Sequence, residues 1–168
     1  SAPTGLSISV DSGAAYTDST SVVLTLAATG ASHMRFKNES NGAWSNYETY
    51  STTKAWTLVN TQGNRTVYVQ FKDAAGNETN GSTSDWITFD SVTPNTTITA
   101  APSGNVSSTT ASVSFTSNET GVTFQRKLDS GSWTSATSPL ALTSLSQGSH
   151  TIQVRATDAA GNTDATPA

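Results

Sequence analysis

The chain contains no cysteine, which removes a disulfide framework, a thiolate metal site and a cysteine nucleophile together. Charge is also scarce: 12% of the 168 residues are charged, with eight Lys and Arg against twelve Asp and Glu, for a net charge of −4. Eight cations spread along the whole length cannot form the basic stripe that phosphate binding requires, so a nucleic-acid partner is excluded. No apolar run is long enough to span a bilayer, and no stretch reads as a signal peptide. The two histidines, His33 and His150, have neither a second histidine nor a carboxylate at metal-ligand spacing and read as surface residues. No G-x-S-x-G elbow occurs, and no glycine-rich loop leads into a helix. Glu39, Glu48, Glu78 and Glu119 fall in apparent turns as solvated carboxylates, not as a glycosidase pair. Enzyme activity is not expected.

What the chain does have is Ser and Thr, about a third of all residues, and short apolar runs at period two. In SVVLTL, Val22, Leu24 and Leu26 share one face while Val23 and Thr25 share the other. Strands are expected near 6–10, 21–27, 33–38, 55–59, 66–72 and 85–90, separated by turn signals and without a helix. One apolar and one hydroxylated face per strand implies two sheets packed through a single interior. The strand count matches an immunoglobulin-like or fibronectin-III-like sandwich, and with no disulfide its core must rest on packing.

The chain also repeats itself. QFKDAAGNET and VRATDAAGNT carry the same five letters, with Asp158 lying 85 residues after Asp73. Outward from that anchor, Val67, Val69 and Phe71 align with Ile152, Val154 and Ala156. Met34 and Phe36 align with Val122 and Phe124, and Val22, Leu24 and Leu26 with Ala111, Val113 and Phe115. Ile8 aligns with Ile98, Trp56 and Leu58 with Leu140 and Leu142, and Trp44 with Trp133. The two tryptophans are expected as core anchors. Pro94 cannot donate to a ladder, which puts a boundary near FDSVTPNTT and gives two units, 1–92 and 93–168, with a short linker. The ends, SAPTG and DATPA, read as cuts from a longer repetitive protein.

Asp73-Ala74-Ala75-Gly76 and Asp158-Ala159-Ala160-Gly161 fit a type I turn, with the carboxylate accepting backbone N–H groups and Gly supplying a positive φ before Asn77 and Asn162. The alternative is calcium held by Asp73, Asn77 and Asp90, although one carboxylate per loop is few and no D-x-D-x-D run supports it. No other cofactor is implied. Unit one continues into STSDWITFD, where Ile87 and Phe89 alternate as a closing strand, whereas unit two offers only TDATPA. Its strand at 150–157 is therefore expected to present an open edge beside an apolar slot, with a neighbouring copy's TGLSISV as a candidate donor in strand complementation.

The stretch HMRFKNESNGAWSNYETYSTTKAWTL followed by TVYVQFKDAAGN resembles the immunoglobulin-like, fibronectin-III-like repeats of prokaryotic cell-surface and secreted proteins. VTFQRKLDSGSWTSATSPLALTSLSQGSHTIQVRATDAAGNTDATPA is similar to a sister class of those repeats. The resemblance implies extracellular stalks, spacers or interaction modules of adhesins, surface filaments and large secreted enzymes, with other repeats or neighbouring copies as partners. Two cysteines of some sister repeats are absent, Arg126 and Ala136 standing near their places. The expected function is a non-catalytic structural, spacer or assembly module. The alternative is a carbohydrate-binding accessory module of a secreted polysaccharide-active enzyme, with Tyr47 and Tyr50 as exposed sugar-stacking rings and surface glycans as partners. Seven asparagines, Asn38, Asn64, Asn77, Asn80, Asn95, Asn105 and Asn118, begin N-glycosylation acceptors.

Overall fold

Sequence alternation becomes alternation in burial. In the computed structural model, which describes residues 1–168, Val22, Leu24, Leu26 and Ala28 are buried while the residues between them are exposed. The chain divides into two units, Ser1–Ser91 and Val92–Ala168. In the first, β1 (Thr4–Val10), β3 (Ser21–Thr29) and β6 (Thr53–Thr57) form one sheet in the order β1-β3-β6. Facing it, β2 (Tyr16–Thr17), β4 (His33–Asn38), β5 (Glu48–Thr49), β7 (Gly63–Lys72) and β8 (Thr83–Phe89) form a second in the order β2-β8-β7-β4-β5. The helical content is a single 3-10 turn at Asp11–Gly13. The second unit places β9 (Thr96–Ala100), β10 (Ala111–Ser117) and β13 (Leu140–Leu142) in one sheet. Its other sheet holds β11 (Thr123–Leu128), β12 (Thr134–Ala136) and β14 (Ile152–Thr157), in the order β12-β11-β14. Both units are immunoglobulin-like β-sandwiches.

The two cores differ in bulk. Unit one buries Val10, Val22, Leu24, Leu26, Met34, Phe36, Leu58, Val67, Val69, Phe71 and Ile87 in one cluster. Unit two has Val113, Phe115, Leu142 and Val154 at its centre, with partly buried side chains around them. Register explains the difference. Met34 pairs with Phe71 and Phe36 with Val69, and Phe124 pairs with Ala156 and Arg126 with Val154. With Phe71 matched to Ala156, and Val69 to Val154, Arg126 and Ala156 stand where unit one has two phenylalanines.

That register corrects the sequence alignment: Met34 corresponds to Phe124, not to Val122. Likewise Val22 pairs with Trp56 and Ala111 with Leu142, which matches Trp56 to Leu142 rather than to Leu140. Both errors are slips of two residues. A strand moved by two keeps its apolar face, so alternation alone cannot detect the shift. Ile8 and Ile98, which pair with Leu26 and Phe115, do correspond.

A second correction concerns the N-terminal segment. TGLSISV is β1, paired with β3 from Thr4↔Thr29 to Val10↔Leu24, and its Val10 is fully buried. Donating it to a neighbour would open its own sandwich.

Candidate functional site

The repeated motif is a turn that ties itself together. The Asp73 N–H donates to Asn77 O and the Gly76 N–H to Asp73 O, both at 3.1 Å. Asp73 Oδ1 accepts the Asn77 N–H at 2.8 Å, and Oδ2 accepts Asn77 Nδ2 at 2.7 Å. The second copy repeats each bond: Asn162 N–H to Asp158 Oδ1 at 2.9 Å and Asn162 Nδ2 to Asp158 Oδ2 at 2.8 Å. Gly76 and Gly161 take φ of 88° and 99°, which a Cβ would strain. The Asn77 side chain, then its backbone N–H, holds the Asp73 carboxyl below the usual carboxylate range.

The three residues assigned to calcium from sequence do not converge. Asn77 turns its amide nitrogen, a donor, toward Asp73. Asp73 follows the last residue of β7, whereas Asp90 follows Phe89, which pairs with Gly63 at the opposite end of that strand. A strand of this length separates them by roughly 30 Å at about 3.3 Å per residue.

Downstream of the turn the two units diverge. Thr79 and Asp164 occupy matching places, each donating its N–H across to the preceding strand, to Phe71 O and Ala156 O, at 2.9 Å. Thr79 offers a buried hydroxyl that accepts the Phe71 N–H at 3.3 Å. Asp164 puts a carboxylate there, 4% exposed. Its Oδ2 accepts the Thr96 N–H at 2.7 Å; its Oδ1 accepts the Thr166 N–H at 2.9 Å and the Thr166 hydroxyl at 3.2 Å. The Thr96 hydroxyl in turn accepts the Ala156 N–H at 2.9 Å. Burial pushes the Asp164 pKa up, but hydrogen bonds from Thr166 and Thr96 outweigh it and hold the carboxyl below its ordinary value. Sequence reasoning passed over Asp164; the signal was an acid standing at the position of a Thr in the aligned repeat.

The hairpin after β4 is duplicated too, with one exchange of chemistry. Glu39 and Asp129 both take positive φ, 58° and 51°. Their N–H groups donate to Thr66 O and Thr151 O, and their carboxylates accept the Thr66 and Thr151 N–H groups. Unit one pairs Glu39 with Arg65 at 3.4 Å, and unit two pairs Asp129 with His150 at 2.8 Å. This corrects the expectation that His150 has no carboxylate partner, since sequence spacing cannot show a contact across strands. His150 also faces Ser146 O through Nε2 at 3.0 Å, so only the imidazolium donates from both nitrogens. The Asp129 bond, then the Ser146 carbonyl, raises the His150 pKa, while the Thr151 N–H and then His150 lower that of Asp129.

The sign follows from linkage. A raised histidine pKa contributes stability that is complete below its unfolded value near 6.5 and is lost as pH rises through the folded value. Unit two is therefore expected to lose stability as pH rises above the unfolded value and through the higher folded one, and His150→Gln is expected to flatten that slope. Unit one holds Arg65 in the matching place and so has no counterpart of this histidine–aspartate pair. Thermal unfolding across that pH range checks both.

On the outer face of the β4/β7 sheet, aromatic rings and cations interleave. Arg35 lies over Trp44 at 5.1 Å and over Tyr47 at 4.6 Å; Lys37 lies over Trp44 and Tyr68, each at 5.1 Å, and Lys72 over Tyr47 at 4.0 Å. Unit two keeps a smaller version, with Arg155 at 4.3 Å and Lys127 at 5.4 Å from the Trp133 ring. Gln70 Oε1 orients Arg35, with the closer nitrogen at 2.6 Å, and Gln125 Oε1 orients Arg155 at 2.8 Å. The arginine and glutamine have exchanged strands while keeping their bond.

Trp44 and Trp133 are thus half-buried surface rings outside both core clusters, which corrects the expectation of core anchors. Each lies against cations, whose attraction to the ring face holds the indole on the sheet. Tyr50 departs from the exposed position expected for sugar stacking. It packs edge-on to Phe71 at 5.9 Å, and its hydroxyl accepts the Ala28 N–H at 3.2 Å. Tyr47 is half-buried with its hydroxyl enclosed. Burial, with the Glu78 carboxylate beside it, pushes its pKa up to about 12 against the pull of Arg35. Glu39, Glu48 and Glu78 each meet a cation, Arg65, Lys54 and Arg35 respectively, so they are not bare solvated carboxylates.

Among the glycosylation acceptors, the Asn38 side chain donates to Thr57 O at 2.9 Å and accepts Trp56 Nε1 at 2.8 Å, and the Asn77 amide is taken by Asp73. Asn64, Asn80, Asn95, Asn105 and Asn118 are exposed. No helix is long and apolar enough to cross a membrane.

Comparison with known proteins agrees with this architecture. Residues 97–167 match the family model of the PKD domain. No curated protein matches the chain. Among solved structures, the Clostridium thermocellum CbhA fibronectin(III)-like modules overlay with a TM-score of 0.57 at 17% identity, covering 96% of this chain and 90% of that one. The chicken CNTN1 FN1-FN3 domains give a TM-score of 0.48 at 14% identity, over 95% and 60% of the two chains. The chain is built of tandem immunoglobulin-like, fibronectin-III-like units. Domains of the PKD and fibronectin-III-like kinds are generally non-catalytic.

Proposed function

We propose that this chain is a non-catalytic spacer within an extracellular cell-surface or secreted protein, one that sets distance by tandem β-sandwiches. The observation that carries the reading is the use of its polar chemistry. The repeated carboxylates accept hydrogen bonds from their own turns, and Glu39, Glu48 and Glu78 of unit one meet neighbouring cations. Asp164 is spent on backbone N–H groups. Such groups hold a fold and leave little with which to polarise a substrate. Ser and Thr, about a third of the residues, give the sheets hydrated outer faces at low charge. The PKD match and the non-catalytic character of such domains support the same reading, as does the usual extracellular setting of domains of this type. Exposed sequons such as Asn80 and Asn105 suit that setting, as candidate glycan attachment sites.

The rival reading, carbohydrate binding, now rests on Trp44 and Tyr47. A sugar needs an open ring face, and those two rings already face Arg35, Lys37 and Lys72. On a glycan array the intact chain is expected to give no signal above background. A reproducible signal lost on Trp44→Ala and Tyr47→Ala would replace the spacer with a sugar-binding module.

A further inference from the structure

Glycine follows asparagine twice in this chain, at Asn41-Gly42 and at Asn80-Gly81. Such a pair is chemically labile, because without a Cβ in the way the glycine nitrogen can reach the asparagine side-chain carbonyl carbon and close a small ring. Both asparagines are exposed, so exposure does not separate them; the glycine amide does. The Gly42 N–H donates to Glu39 O at 3.3 Å, and a Cβ on Gly42 would collide with the Asn38 carbonyl. The nitrogen that would attack is thus held inside the turn after β4. At Gly81 the N–H donates to no group of the protein, and the Asn80 amide is equally unengaged. Gly81 takes a φ of 92°, and beyond its chain neighbours no atom lies within 4 Å of where a Cβ would stand. The segment is nevertheless fixed on both sides. The Thr79 N–H donates to Phe71 O and the Thr79 hydroxyl to Gly81 O at 3.2 Å, while Thr83 opens β8.

We propose that Asn80 is a site of spontaneous amide loss, with the Gly81 nitrogen as nucleophile and water as the second reactant. The Gly81 nitrogen gives its proton to solvent and bonds to Asn80 Cγ. The Cγ–Nδ2 bond breaks, and the nitrogen leaves as ammonia with a proton taken from solvent, which leaves a cyclic imide. Water then opens the ring at either carbonyl, giving aspartate or, with a methylene added to the main chain, isoaspartate. No oxidant or enzyme enters. Either product adds a negative charge two residues from Glu78, and the isoaspartyl form displaces Gly81 O, the acceptor of the Thr79 hydroxyl. Asn80-Gly81-Ser82 is also a glycosylation acceptor, so a glycan on Nδ2 and the imide are exclusive fates of one nitrogen. Attachment protects the turn; a bare chain ages there.

The test holds the full chain at mildly alkaline pH for some weeks, once folded and once in urea. Tandem mass spectrometry then reads each asparagine as amide or carboxyl, and methylation by an isoaspartyl methyltransferase reads the isoaspartyl product. In the folded chain Asn80 is expected to convert many-fold faster than Asn41, with isoaspartate among its products. In urea the gap is expected to close, because Gly42 then loses its bond to Glu39. Asn80→Gln is expected to abolish the methylation at this turn, whereas Ser82→Ala, which removes the glycan acceptor but leaves ring closure intact, keeps it. An Asn80 that stays an amide, an Asn41 that converts as fast in the folded chain, a gap equally wide in urea, or conversion without isoaspartate would overturn the proposal.

Discussion

Replacing Asp164 by alanine is expected to cost unit two about 2–4 kcal/mol, since removal of a buried charged acceptor strands its donors. The Thr96 and Thr166 N–H groups both lose their partner, and Thr96 also anchors the Ala156 N–H through its hydroxyl. The change therefore loosens the start of β9 and the β14 ladder together. A domain of this size holds roughly 4–12 kcal/mol in all, so the variant should unfold at markedly lower urea. Trp133 is the tryptophan of unit two and reports the loss, while the transition of unit one stays in place. Asp164→Asn keeps one acceptor oxygen and should fall between the variant and the wild type. Acid should mimic the alanine variant. Because the folded pKa is depressed, the contribution of Asp164 is complete above its unfolded value near 3.9 and is lost as pH falls through the folded value. Asp164→Asn removes that part of the acid sensitivity. An Asp164→Ala chain with an unchanged unit-two transition would show that the carboxylate holds nothing.

Phe71→Ala is expected to be the most damaging core change in unit one, costing about 3–5 kcal/mol for the lost ring and the cavity it leaves. Phe71 is fully buried, faces Met34 across the β4–β7 ladder and supports the Tyr50 ring. Tyr50 in turn accepts the Ala28 N–H, so the loss reaches the opposite sheet. Urea denaturation should show the unit-one stability falling by that amount, through a lower midpoint at an unchanged slope. Unit two places Ala156 at the same point, and its core is smaller for that reason. The wild-type chain should accordingly unfold in two steps, unit two first.

Much of this architecture was legible from residues alone. Alternation in SVVLTL and TVYVQF set out the strands because each is buried on one face, and the repeated DAAGN disclosed the duplication and its own turn chemistry. Long-range register was not. Met34 and Phe36 keep their facing under a two-residue slip, so nothing local separates Val122 from Phe124 as the counterpart of Met34. The tryptophans misled for another reason. A large apolar ring usually signals a core, but Trp44 and Trp133 meet cations brought from other strands, Arg35 and Lys37 in one unit, Lys127 and Arg155 in the other. The pairing of His150 with Asp129 and the burial of Asp164 likewise depend on strands that meet only after folding.

The central claim is that the chain spaces its neighbours as two separately folded sandwiches, and stretching a single molecule between its ends tests it most directly. Two unfolding events are expected, the earlier releasing roughly 25 nm of chain for unit two and the later roughly 30 nm for unit one, at about 3.3 Å per residue. One event releasing the whole chain, or smooth extension without a force peak, would contradict it.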